Sequence, residues 1–219
     1  MLKIWLCLFL AVVTVGCGPR YADYFPYHDD GMKKPTVALL PITDHSQSAC
    51  GWDLADELNQ AIRYRIMDNG ELYLWPKKEV AAVADSLGNV DYFGKDITCT
   101  KQFCPSEFLV VMELIEHNIV PYEKGLISPL YPCRAKSCTC ALTMKVRIRV
   151  FDIRGECPSI VLQEIFQSNH MIPQEGNCVD YSKVCFGMPA YERTYLALAH
   201  QRMARDIAER LESTAYSWR

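Results

Sequence analysis

The sequence predicts an α/β domain with an α+β tendency. It reads as a βαβα unit followed by an antiparallel strand meander and a C-terminal helix, on a mixed sheet whose helices lie mainly on one face. Three observations carry this. Thr36-Val-Ala-Leu-Leu-Pro-Ile-Thr43 is a short apolar run of β type, and it leads into Leu54, Leu58, Ala61, Ile62 and Ile66, which recur at helical spacing. Leu142 to Val150 alternates between apolar and polar residues almost without fault. Near the C-terminus, about Ala190 to Ser213, Leu196, Ala199, Met203, Ile207 and Leu211 form a second helical stripe.

Taken in order, Asp53 is placed to cap the first helix, Asp56 follows three residues on in capping-box fashion, and Gly70 stops the helix after Asn69. A strand at Leu72 to Trp75 precedes a helix at Lys77 to Leu87, which begins after Pro76. This order predicts a parallel pair joined by a crossover. Phe108 to Ile119 is a long strand candidate. In the next strand Leu142, Met144, Val146, Ile148 and Val150 face the core, while Thr143, Lys145, Arg147 and Arg149 face the other way. Asp152-Ile-Arg-Gly155 reads as a turn, and Ile160 to Gln167 completes the meander. Glu192, Arg193, Arg205, Asp206 and Glu212 fall largely off the stripe of the last helix. The chain shows no internal repeat and no low-complexity tract.

At the N-terminus, Lys3 precedes an apolar stretch, Ile4 to Val15, that is too short to span a bilayer as a stable helix, and Val13-Thr-Val-Gly-Cys17 follows with small residues at a cleavage point. This resembles a bacterial lipoprotein signal with a lipobox. The resemblance implies cleavage between Gly16 and Cys17, a diacylglycerol on the Cys17 thiol and an acylated (N-palmitoyl) amine. Gly18, in place of the aspartate that retains many such proteins at the inner membrane, points to the outer membrane. The expected organisation is a signal peptide over 1–16, a lipidated tether over 17–35 and one globular domain over 36–219. The tether reaches roughly 60 Å at about 3.3 Å per residue. Tyr21, Tyr24, Phe25 and Tyr27 make it aromatic, and they are candidates to cover the domain or lipid interface, or to dock a partner.

Loss of residues 1–16 takes one lysine from the 23 basic residues and none from the 26 acidic ones, leaving a net charge of about −4 before the acylated amine is considered. Nothing in that balance calls for nucleic acid, and no second apolar run approaches the ~20 residues of a membrane span. Of the 11 cysteines, Cys7 leaves with the signal and Cys17 goes to lipid. Cys50, Cys99, Cys104, Cys133, Cys138, Cys140, Cys157, Cys178 and Cys185 remain as candidate disulfide partners in an oxidising periplasm, an odd set whose pairing spacing alone does not settle.

No Gly-x-Ser-x-Gly elbow, P-loop, Gly-x-Gly-x-x-Gly or His-Glu-x-x-His occurs. The histidines His28, His45, His117, His170 and His200 are scattered singly and read as surface or satisfied side chains, with Glu116-His117 on a strand solvated on one side. Cys133, Cys138 and Cys140 could hold zinc, with Cys157 or Cys104 as fourth ligand, or act in redox chemistry, but disulfides are the favoured reading. Lys145, Arg147 and Arg149 form a basic row that either meets an anionic partner or pairs across the hairpin with Glu164 or Glu156.

Val37-Ala-Leu-Leu-Pro-Ile-Thr-Asp44, the helix Leu54 to Met67, Leu72-Tyr-Leu-Trp75, Phe108-Leu-Val-Val-Met-Glu-Leu and the hairpin Val146 to Gly155 together resemble a family of envelope lipoprotein domains. Its types are the curli-export protein CsgG, the amino-terminal domain of TolB and the synthase activator LpoB. The lipobox, tether and cysteine-rich domain also look like a chlamydial family of outer-membrane lipoproteins without established function. The resemblance implies binding and assembly rather than catalysis. Val120 to Pro132, with Pro121, Gly125, Pro129 and Pro132, is a poor membrane strand, so a pore is not expected. The expected role is therefore a non-enzymatic, lipid-anchored adaptor or assembly factor facing the periplasm. It needs no cofactor and no metal, and it binds the bilayer through Cys17 and either an envelope protein or itself. The alternatives are a subunit of an oligomeric export or secretion complex, and a periplasmic thiol or metal-binding protein.

Overall fold

The structure, a computed structural model, describes residues 25–48, 50–88, 90–94, 97–103, 105–121, 138–174 and 183–217. Six strands form one mixed sheet: β1 (Thr36–Leu39), β2 (Thr43–Asp44), β3 (Tyr73–Leu74), β4 (Phe108–Pro121), β5 (Cys138–Asp152) and β6 (Ser159–Gln174). The order is β3-β1-β4-β5-β6, with β2 also pairing to β4. β1 is parallel to β3 and β4, whereas β4, β5 and β6 run antiparallel. The expected parallel pair and meander are both present, and β5 and β6 extend well past their expected ends.

Among the described residues three α-helices cover the sheet: α1 (Leu54–Asn69), α2 (Lys77–Leu87) and α3 (Tyr195–Ser217). The two long ones, α1 and α3, lie on one face. Leu58, Ile62 and Ile66 of α1 and Met203, Ile207 and Leu211 of α3 pack there on Leu142, Met144, Val146, Ile148 and Val150 of β5. The short α2 sits on the opposite face, where Val80 and the 3-10 turn residue Phe103 join Ala38, Leu109 and Phe151. α3 starts at Tyr195 because a separate 3-10 turn, Tyr191–Arg193, comes first.

Caps follow the sequence. The Asp53 carboxylate accepts the Asp56 N–H at 2.9 Å, and Gly70 ends α1 at φ 72°, a left-handed conformation suited to glycine. The Asp56 side chain turns instead to Gln60 and Lys77, at 2.6 and 3.1 Å. Asp53→Ala should therefore lower stability by about 0.5–2 kcal/mol, read as a shift in the urea midpoint.

The expected tether proves partly folded. Residues 25–35 form a small reversal in which Tyr27 bridges to Lys33 around the turn at Gly31, and Lys33 pairs with Glu107 at 3.0 Å. Pro35 then accepts the Tyr73 N–H at 3.0 Å. Phe25 and Tyr27 remain 63% and 56% exposed. Gly16, Cys17, Tyr21 and Tyr24 lie outside the described residues. No helix among the described residues is long and apolar enough to cross a membrane.

Candidate functional site

One chain of buried polar groups stands out, and it links two residues that the sequence reads as isolated. Glu57 lies on α1, His200 on α3 and His117 on β4, at 4%, 1% and 4% exposure. Ser48 and Cys50 sit on the loop between β2 and α1. Ser48 Oγ is 2.9 Å from His117 Nδ1, His117 Nε2 is 3.0 Å from His200 Nε2, and His200 Nδ1 is 2.7 Å from Glu57 Oε1. The Tyr191 hydroxyl donates to Glu57 Oε1 at 2.6 Å, and Trp52 Nε1 donates to Glu57 Oε2 at 2.7 Å. The rings of Trp52 and Tyr191 meet edge to face with centroids 5.2 Å apart.

Local structure explains each position. The β4–β5 register shifts between Leu114 and Glu116, so Ile115 is an extra residue in β4. A strict alternation from Leu114 would turn His117 away from the helices. The bulge restores it to their side, opposite Met144, and Glu116 faces the other way to pair with Lys145 at 2.6 Å. Glu57 and His200 each lie within the apolar stripe of their helix, three residues after Leu54 and four after Leu196. β2 holds the loop over β4, and two turns coil it: Asp44 accepts the Ser46 N–H at 2.7 Å, and Ser46 Oγ accepts the Ser48 N–H at 3.3 Å. Gln47, between them, has φ 53°, a left-handed backbone that costs a non-glycine residue about 1 kcal/mol or more.

Donor and acceptor chemistry orders the chain. An ionised Glu57 only accepts, so His200 Nδ1 donates to it. With both imidazoles neutral, His200 Nε2 accepts from His117 Nε2–H, and His117 Nδ1 accepts the Ser48 hydroxyl proton. One added proton reverses the line. His200 then donates from both nitrogens, His117 Nδ1 donates to Ser48 Oγ, and the Ser48 hydroxyl turns to Cys50 Sγ, 3.4 Å away. Burial raises the Glu57 carboxyl, but the hydrogen bonds and proximity of His200, with the Tyr191 and Trp52 donors, outweigh it and hold the group below the usual carboxylate range. Burial and the adjacent His200 lower His117 to about 4. Burial pushes the Cys50 thiol up, so it stays protonated and a poor nucleophile.

These shifts make the domain sensitive to acid. Unfolded His117 takes up its proton near 6.5 and folded His117 only near 4, so stability falls as pH drops through that window, by up to about 3 kcal/mol. Glu57, depressed in the fold, adds loss in the same direction as pH passes its folded value. Urea midpoints measured at pH 7.5 and 4.5 should show the drop, and His117→Gln should flatten it.

The chain connects two clefts. One, of about 650 Å³, is lined by Gln47, Ser48, Cys50, Trp52, His117, Asn118, Ile119 and Leu196. The other, of about 490 Å³, is lined by Glu57, Tyr64, Phe186, Tyr191, His200 and Gln201. The ligand-type side chains are strung in a line, each bonded to the next, and no group of three His, Cys, Asp or Glu among the described residues is arranged to hold a metal ion.

The residues singled out from sequence fare differently. The basic row faces away from α1 and α3 as expected, and its partners lie on β4, in the loop after α2 and, for Arg149, at Gln163 across the hairpin on β6. Lys145 pairs with Glu116, Arg147 Nε reaches Glu113 at 2.8 Å, and Arg149 is 7% exposed, donating to the Tyr92 and Gly94 carbonyls at 2.9 and 3.0 Å and to Gln163. Phe93 lies against both arginines. Glu164, the partner expected across the hairpin, instead pairs with Arg210 of α3 at 2.9 Å, because it falls on the helix-covered face. The row is therefore largely engaged within the fold.

Cys50, Cys157 and Cys185 carry free thiols, so the expected bridges do not form at these three positions. They sit on separate loops: before α1, at the β5–β6 turn and before α3. Cys99 lies in the 3-10 turn Thr98–Phe103, and Cys140 is buried on the helix-covered face of β5. Cys104, Cys133 and Cys178, and the side chain of Cys138, lie outside the described residues.

Residues 23–217 match a family described as a family of unknown function (DUF7499), and the chain belongs to it. Among solved structures it is similar to the hypothetical protein CT253 from Chlamydia trachomatis, at 26% identity over 83% of this chain and 98% of that one, with a TM-score of 0.64. It is also similar to lipoprotein GNA1162 from Neisseria meningitidis (10% identity, 64% and 82% covered, TM-score 0.36) and to the PelC dodecamer from Paraburkholderia phytofirmans (9%, 79% and 84%, 0.41). No curated protein matches the sequence. The chlamydial likeness expected from the sequence is thus found at the level of a hypothetical protein.

Proposed function

We propose that this member of DUF7499 is a lipid-anchored envelope protein, held through Cys17 in the outer membrane with its domain facing the periplasm, where it acts as an adaptor or assembly factor. Its partner would seat in the cleft beside Ser48 and His117. The observation that carries this reading is a preformed concavity whose wall is pinned to the core by the buried chain, with apolar Trp52, Ile119 and Leu196 beside polar Gln47, Ser48 and Asn118. The lipobox and the resemblance to CsgG, TolB and LpoB-type domains support the same reading. Cross-linking in intact envelopes followed by mass spectrometry tests it. Links from residues around the cleft to one different envelope protein are expected, and an absence of such links would count against the adaptor.

A second reading, a subunit of an oligomeric export or secretion complex, is favoured by β6. This 16-residue strand is an edge of the sheet among the described residues, with Ile165 58% and Met171 48% exposed and little charge along it. Such an edge is a template for strand pairing with a second copy. The same cross-linking would then give a ladder of self-links of fixed size, and Ile165→Lys should remove it.

A further inference from the structure

The buried chain ends at a hydroxyl that opens on a cleft, and binding alone does not require that arrangement. We propose that Ser48 is an activated nucleophile that accepts an acyl group from a carboxylic ester lodged in the adjoining cleft. Ser48 is half-buried and lines that cleft. Among the described residues its nearer acceptor is His117 Nδ1 at 2.9 Å, within the reach of a general base, with Cys50 Sγ farther off at 3.4 Å. His117 is in turn held by His200 at 3.0 Å, and His200 by Glu57 at 2.7 Å. A nucleophile, a base and an orienting carboxylate are thus in line, with a second imidazole between base and carboxylate.

The step balances within these groups. Ser48 Oγ attacks the ester carbonyl carbon, its proton passes to His117 Nδ1, and the His117 Nε2 proton passes to His200 Nε2. The positive charge then rests on His200 against Glu57 rather than on His117. The ester C–O bond breaks, the leaving alkoxide takes the proton back through the same line, and Ser48 is left as its acyl ester. Water entering the cleft can reverse the sequence and release the acid. Cys50, 3.4 Å from Ser48, keeps its proton and is not the attacking atom. An acyl group retained on Ser48 is compatible with an adaptor, and the inference stands whether or not that reading does.

The test uses the full-length lipidated protein and a serine-directed fluorophosphonate probe, with the modified residue located by mass spectrometry. A single adduct on Ser48 is expected. It should be absent from Ser48→Ala and form about 100-fold more slowly in His117→Ala. If His117→Ala does not fold, the wild-type labelling rate as a function of pH takes its place: it should hold from pH 6.5 down to about 5 and fall as pH approaches 4, where folded His117 takes up its proton. No adduct on Ser48, equal labelling of folded His117→Ala, or a flat pH profile would overturn the proposal. Because the probe reads Ser48 chemistry and envelope cross-linking reads partners, failure of one leaves the other readable.

Discussion

Glu57→Ala is expected to lower the folding free energy by about 3–5 kcal/mol, because three buried donors lose one shared acceptor at about 1–3 kcal/mol each. Glu57 is the acceptor on which His200, Tyr191 and Trp52 converge, and it is 4% exposed. Its removal leaves three buried donors without their partner and a gap between α1 and α3. Equilibrium urea unfolding reads the loss, and the near-ultraviolet dichroism of Trp52 and Tyr191 should weaken with it. Glu57→Gln keeps the shape and one acceptor oxygen, so it should cost less than the alanine variant. Equal stability of wild type and Glu57→Ala would mean that the chain contributes nothing to holding the helices together.

Cys17→Ala is expected to move the protein from the membrane fraction to the soluble fraction and to abolish its labelling by fatty acid. The acyl chains proposed on Cys17, each methylene contributing about 0.8 kcal/mol when buried, would make the attachment effectively permanent, and no helix among the described residues is long and apolar enough to span a membrane. Phe25 and Tyr27 are exposed, but two rings do not replace acyl chains. Retention of the variant in washed membranes would locate the anchor elsewhere in the chain.

Much of the fold is legible in the sequence because its signals are local. Asp53 and Gly70 bound α1, and the alternation from Leu142 to Val150 predicts both the buried row and the basic row. Longer-range features are not legible in the same way. β6 runs on to Gln174 because pairing with β5 continues past the point where its own alternation is clear. The partners of Arg147 and Arg149 depend on which strand lies beside β5 and on the loop carrying Tyr92 to Gly94. The folded end of the tether depends on Lys33 meeting Glu107, 74 residues away.

The candidate site was hidden for a specific reason. His117 follows Glu116 on a strand that reads as solvated on one side, and only the bulge at Ile115 turns it inward. Glu57 and His200 did leave a signal, a polar residue inside each of two apolar helical stripes. Reading the two stripes together would have suggested that they meet, since a buried glutamate needs a donor. Ser48 left none, because its position depends on a loop coiled by Asp44 and Ser46.

The measurement that bears most directly on this account is long-range proton–nitrogen correlation of the histidine rings by NMR at pH 7. His117 is expected to carry its proton on Nε2 with a bare Nδ1, His200 to carry its proton on Nδ1, and His117 to stay neutral down to about pH 4. A His117 that titrates near 6.5, or one protonated on Nδ1 at neutral pH, would contradict it. In that case Ser48 would not be donating into a continuous chain to Glu57.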